Sequence, residues 1–511
     1  MSRNKKDAQQ IPAHLRPMFN HSHKPRSRRE FLGQGFISGA GMVLTPSLLT
    51  MISRHAQGAP DCGAAGSTAQ QIPFMIFDFA GGCNFAMGNV LVGKAGGQTD
   101  FLDDAAVATL SIPSTQNPLN NPAMVDNELG LLFHKNSAWL AGFRSATTAT
   151  TRAKMNGVIV CGRSADDTAN NPLNPAFWVQ KAGLKGALVD IIGSGSGNAL
   201  GRSQAPADSV TTASPILVRS SADSLSIVNT GLIGQLLPDP GQAEKLLKAT
   251  HSMSAGQLAA FMEKDVPTQV KTLVECGYIK ATDNLTKFTA TAVNPANDAL
   301  VTAVKGVNNI ATDALIPDQF TVTTANDDKV TTVAKLLLDG YAGVGTVEFG
   351  GYDYHGNDAI QTAQKDFDAG RSAGMAFELA ARKGKPLMAA FITDGSVSAS
   401  STTPVADPRV AGKFDFASDS GVRSSAFVLG FNPIAKPEMA GSTQIGAFLD
   451  GAGSVNQDIS SVGNNVSNVS KALALQWLAA NGREGEFDKL FGNTLGTNLT
   501  PFLAFAKFKT A

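Results

Sequence analysis

Histidine is scarce in this chain: of seven in 511 residues, His14, His21, His23 and His55 precede residue 59, which leaves His134, His251 and His355. A centre built from several imidazoles, such as a two-zinc site, is therefore short of ligands. No Cys-x-x-Cys pair is present, so the common zinc-ribbon and finger motifs are excluded. No Gly-x-Ser-x-Gly elbow precedes a helix; Gly193-Ser194-Gly195-Ser196-Gly197 comes near in letters but reads as a glycine-serine turn. No stretch repeats at a fixed period, which argues against a solenoid. Charged residues are few, at 16%. Residues 1–58 hold nine of the 42 basic residues and two of the 42 acidic ones, so the remainder carries 33 minus 40, or −7. That balance argues against nucleic acid and an anionic membrane surface as partners, because both need a basic patch.

What the chain does have, near its start, is Ser27-Arg28-Arg29-Glu30-Phe31-Leu32 between a basic stretch and a moderately apolar run, Gly33–Ile52. An arginine pair, Phe-Leu and an apolar run form the address read by the twin-arginine translocase. Four glycines (Gly33, Gly35, Gly39, Gly41) and Pro46 make the run a poor transmembrane helix. The expectation is an export signal over 1–58, cleaved after Ala56-Gln57-Gly58, and a periplasmic or otherwise exported mature chain over 59–511. Ala59-Pro60-Asp61 before Cys62 is not a lipoprotein box. The four cysteines, Cys62, Cys83, Cys161 and Cys276, permit two bridges in any of three pairings. Cys83 and Cys161 sit in apolar surroundings and read equally well as buried small hydrophobes.

Apolar runs bounded by glycine or aspartate recur at 74–79, 138–143, 157–161, 187–192, 344–349, 387–393 and 425–431. Their hydrophobicity is continuous rather than alternating, which predicts strands buried on both faces. Helical spacing over 358–383 ends at Gly384-Lys385-Pro386. Strand, helix, strand in that order is a parallel crossover unit, so the expected class is α/β, a mixed, mostly parallel sheet between helices. Residues 239–333, with helical stretches at 242–264 and 268–289, are expected to form a helical insertion or cap. Residues 470–480 read as an amphipathic helix, and 399–409 as a long loop.

The densest chemistry lies in Gly350-Gly351-Tyr352-Asp353-Tyr354-His355-Gly356-Asn357-Asp358, after a strand and before the long helix, where α/β sheets place their ligands. Asp353 and His355 alternate, so in extended backbone both point one way, and a carboxylate with an imidazole suits zinc or manganese. The competing local reading is a glycine-rich turn whose aspartate caps the next helix. Asp78 and Asp394 close two other strands, and acids after unrelated strands can converge on one metal, although each singly is more often a turn residue.

The order Phe77-Asp78-Phe79-Ala80-Gly81-Gly82, Arg144-Ser145, Gly351-Tyr352-Asp353-Tyr354-His355-Gly356, Thr393-Asp394-Gly395 and Asp419-Ser420-Gly421 resembles domain-of-unknown-function family 1501. The resemblance implies a twin-arginine-exported protein with an alkaline-phosphatase-like or sulfatase-like α/β fold and a metal-dependent hydrolase scaffold. Where members carry Gly-Gly-x-Asp, Arg-Ser-His-Phe and Asp-His-Gly, this chain has Gly82-Cys83-Asn84, Arg144-Ser145-Ala146-Thr147 and Asp419-Ser420-Gly421, so two histidines and one aspartate are replaced. The Cys-x-Pro-x-Arg signature of sulfatases is also absent, since Cys161-Gly162-Arg163 does not match it.

Two functions are expected from these residues. In one, a single divalent metal, zinc, manganese or calcium, is held by Asp353, His355 and Asp394, with Asp78 and Asp419 nearby, and assists hydrolysis of a phosphate or sulfate ester. In the other, the scaffold has lost its activity and serves as a binding or assembly protein of the cell envelope.

Overall fold

A computed structural model describes residues 71–165, 171–195, 215–228, 290–356, 358–399 and 403–510. All of them belong to one compact unit, built from Ala65–Val228 and Lys287–Ala511. The segment 1–58 expected as an export signal, the helical stretches expected at 242–264 and 268–289, His251, Cys62 and Cys276 lie outside the described residues.

Eight strands form the central sheet: β1 (Phe74–Phe79), β2 (Met155–Cys161), β3 (Val189–Gly193), β4 (Ile216–Leu217), β5 (Ala342–Phe349), β6 (Leu387–Thr393), β7 (Ser425–Phe431) and β8 (Gln444–Ile445). Their order is β8-β2-β7-β6-β1-β5-β3-β4. Every pairing is parallel except those of β7 with β6 and β2, so β7 alone runs against the rest. The class is α/β with a mixed, largely parallel sheet, as the unbroken apolar runs predict. Period-two alternation still sorts each run between two cores. Met75, Phe77 and Phe79 of β1 join Phe391, Phe427 and Phe349 on one face, while Phe74 and Ile76 join Met388, Val428 and Trp477 on the other.

The helices flanking this sheet are α1 (Ala138–Ala146), α2 (Ala176–Lys181), α3 (Asp327–Leu338), α4 (Ala359–Arg382) and α5 (Val466–Ala480). The run at 138–143, expected as a strand, is α1. Ser137 caps it by accepting the Leu140 N–H at 3.1 Å, and all nine residues are buried, which is why the run lacks a polar stripe. Its neighbour α4 packs so closely that a Cβ on Gly142 would stand 1.9 Å from the Phe367 carbonyl oxygen. A Cβ on Gly370 would likewise stand 1.8 Å from the Trp139 carbonyl oxygen, so no larger residue fits either position without moving a helix. Among the described residues Cys83 and Cys161 are free thiols, both buried, and no helix is long and apolar enough to cross a membrane.

Candidate metal centre

The carboxyl ends of β1, β5 and β6 and the start of β7 lie at one edge of the sheet, and the connecting loops meet there. The loops after β1 and β5 are joined by backbone hydrogen bonds: Ala80 N–H donates to Phe349, Tyr352 N–H to Ala80 and Tyr354 N–H to Gly82, at 2.9, 3.0 and 3.2 Å. Gly81 adopts φ +126°, and a Cβ there would stand 2.5 Å from the Asp353 nitrogen, so glycine is required for this approach.

Between Gly351 and Gly356 the side chains alternate as extended backbone dictates. Tyr352 and Tyr354 turn inward, 6% and 0% exposed, with ring centroids 6.1 Å apart. Asp353 and His355 turn outward, their side chains 43% and 48% exposed. His355 Nδ1 contacts Asp353 Oδ1, and it lies 3.2 Å from Asp419 Oδ1. Asp419 arrives from a separate two-stranded ribbon, Phe416–Asp419 paired with Val397–Ala399, which leads into β7. One ligand atom from each of Asp353, His355 and Asp419 lies within 4.8 Å of the other two. Two carboxylate oxygens and one imidazole nitrogen at that spacing, facing solvent on one side, have the donor types of a hard or borderline divalent cation.

Asp394, expected as a ligand, and Asp78, expected nearby, stand outside that group, which takes in Asp419 instead. Asp394, 1% exposed, accepts the Gly81 N–H at 2.7 Å and so fixes the loop against which Asp353 rests. Asp78, also 1% exposed, accepts from Asn171 Nδ2 at 2.7 Å. Burial pushes its pKa well above the ordinary carboxylate range; the Asn171 hydrogen bond opposes that rise and the charges of Asp394 and Glu348 add to it.

Other sequence candidates have structural roles. Arg144 is buried in ion pairs with Asp126 and Glu128 at 2.6 and 2.9 Å, and Arg152 meets Glu128 at 2.6 Å. Just beyond Arg144, Thr148 and Thr151 serve Glu378, whose carboxylate accepts the Thr148 N–H and the Thr151 hydroxyl. Ala146 is fully buried in the core, close to Gly374, so a histidine there would enter packed core. His134 is buried: its Nδ1 accepts from the Asn136 N–H at 3.1 Å and its Nε2 lies 3.1 Å from the Gln116 carbonyl oxygen. Burial first, then the Lys413 charge, lower its pKa to about 3, so it is neutral and is not part of the group at Asp353.

Sequence reasoning missed Asp366, on α4 behind the loop. It accepts from the Tyr354 hydroxyl at 2.7 Å and from Asn89 Nδ2 at 2.8 Å, and burial raises its pKa to about 6 against the pull of those bonds and of Lys413 and Lys365. It lines a cleft with Asn84, Asn89, Thr362, Lys413 and Phe416. The one signal available was the pair of tyrosines alternating with Asp353 and His355, which implies an inner face needing partners. No protein-family model matches the chain, and no curated protein matches it.

Proposed function

We propose that this chain is an exported protein on an alkaline-phosphatase-like scaffold, with a single divalent cation, zinc, manganese or calcium, held by Asp353, His355 and Asp419. On this reading the ion assists hydrolysis of a phosphate or sulfate ester. The observation that carries the reading is the approach of three ligand atoms from two separate segments to within 4.8 Å, at the sheet edge where α/β proteins bind ligands. A divalent ion there would polarise an ester oxygen and lower the pKa of a bound water. Asp394 and Asp78 shape the site from beneath instead of ligating the ion. The export reading rests on Arg28-Arg29 and the residues around them, with the twin-arginine translocase as the transient partner.

The test is turnover of p-nitrophenyl phosphate and p-nitrophenyl sulfate by protein stripped of metal and reloaded with Zn²⁺, Mn²⁺ or Ca²⁺. Turnover that needs added metal and disappears in His355→Ala supports the hydrolase. Metal binding without turnover of either ester favours the second reading, a binding or assembly protein of the envelope. One observation favours that second reading: a single histidine serves the group, and position 146, where the resembled family has another, is closed inside the core.

A further inference from the structure

The group at Asp353 stands on a loop whose glycines leave it little rigidity of its own. Gly350, Gly351 and Gly356 surround it, with Gly351 and Gly356 at φ +80° and +69°, and a Cβ on any of the three would meet nothing within 4 Å. Besides its backbone bonds to Ala80 and Gly82, side-chain contacts hold the loop from beneath. Tyr352 donates its hydroxyl to the Lys365 carbonyl at 3.0 Å, and Lys365 Nζ returns to the Gly351 carbonyl at 2.6 Å. Tyr354, the residue between the two ligands, donates to Asp366 at 2.7 Å. Of these anchors, the Tyr354 bond alone joins two side chains with a carboxylate as acceptor, the stronger class of hydrogen bond.

Asp366 is itself restrained. Its other oxygen accepts from Asn89, whose own Oδ1 accepts from Ser137, the cap of α1. The helix that carries Asp366, α4, is locked against α1 at Gly142 and Gly370. A continuous set of contacts therefore runs from the helix pair through Asp366 to Tyr354, and the peptide units on either side of Tyr354 carry Asp353 and His355.

We propose that Asp366 and Tyr354 are positioning residues: the hydrogen bond between them sets the separation of Asp353 and His355 and thereby the affinity of the centre for its cation. This inference rests on the metal-centre reading of those residues. Outer partners of this kind commonly change metal affinity by roughly 10- to 100-fold.

The test is a double-mutant cycle of Tyr354→Phe and Asp366→Asn in the full chain, read in two independent ways. The first is Mn²⁺ and Zn²⁺ affinity by calorimetry. The second is amide hydrogen exchange of metal-free protein at Tyr354 and His355, whose N–H groups bond Gly82 and Asp353 at 3.2 and 3.3 Å. Each single variant should weaken metal binding roughly tenfold or more and speed exchange at both amides, and the double variant should do little beyond either single. Tyr352→Phe, which removes a hydroxyl from the same loop without touching Asp366, should combine additively with Asp366→Asn and so separates the pairing from general loosening. Unchanged affinity and exchange in the singles, or additive effects of Tyr354→Phe and Asp366→Asn, overturn the inference. Were the parent protein to bind neither ion, the metal reading would fall, while coupled exchange effects would still uphold the tether.

Discussion

Asp353 and Asp419 differ from Asp78 and Asp394 in little that the sequence displays. All four lie at or just beyond the ends of strands, Asp78 one residue before the end of β1. Their surroundings separate them. The first two are more than two-fifths exposed and meet at His355 Nδ1. The second two are 1% exposed, and each accepts a hydrogen bond that fixes neighbouring chain. An acid at a strand end becomes a candidate ligand when its oxygens remain accessible, and a structural acceptor when the sheet closes over it. Desolvation explains the division, since an enclosed carboxylate must find donors or give up its charge.

The comparison is tested most strongly through metal affinity. His355→Ala or Asp353→Ala should lower Zn²⁺ or Mn²⁺ affinity at least a hundredfold by calorimetry, whereas Asp78→Asn should leave it within a few-fold. Next in size, Asp394→Ala leaves the Gly81 N–H without its acceptor and should cost about 1–3 kcal/mol in denaturant unfolding, far more than any change at Asp419.

A smaller effect concerns pH. The folded pKa of Asp78 is raised well above 3.8, and that of Asp366 to about 6. A raised acid binds more protons folded than unfolded, so its contribution is full below about pH 4 and is lost as pH climbs through the folded pKa. Parent minus Asp78→Asn stability should therefore fall from pH 4 to 7. His134 slopes the other way, with its pKa lowered to about 3, and adds stability over the same range as pH rises. The difference between parent and variant isolates the acid, because His134 is common to both. The smallest effect belongs to the exposed pair: Asp353→Ala and Asp419→Ala should shift the stability of metal-free protein by no more than about 0.5 kcal/mol.

Much of the scaffold was legible because buried parallel strands leave unbroken apolar runs. Six of the seven runs are strands, and 358–383 is α4 to within a residue at either end. The seventh is α1, since a short apolar run buried on all sides has no period to distinguish helix from strand. Two-residue edge strands such as β4 and β8 carried no signal of their own. Within the site, the alternation of Asp353 and His355 was readable from local geometry alone. The approach of Asp419 depends on a ribbon pairing across residues 397–419, and the closure over Asp78 and Asp394 depends on loops distant in sequence; neither is written in any short window. Asp366 was overlooked for the same reason: on α4 it looks like an ordinary helix carboxylate until Tyr354 is folded onto it.

The most direct test is elemental mass spectrometry of residues 59–511, purified without chelator, beside an Asp353→Ala, His355→Ala double variant. One equivalent of divalent metal in the parent and none in the variant is the predicted result. Metal retained in the variant, or absent from both, would contradict a centre at this loop.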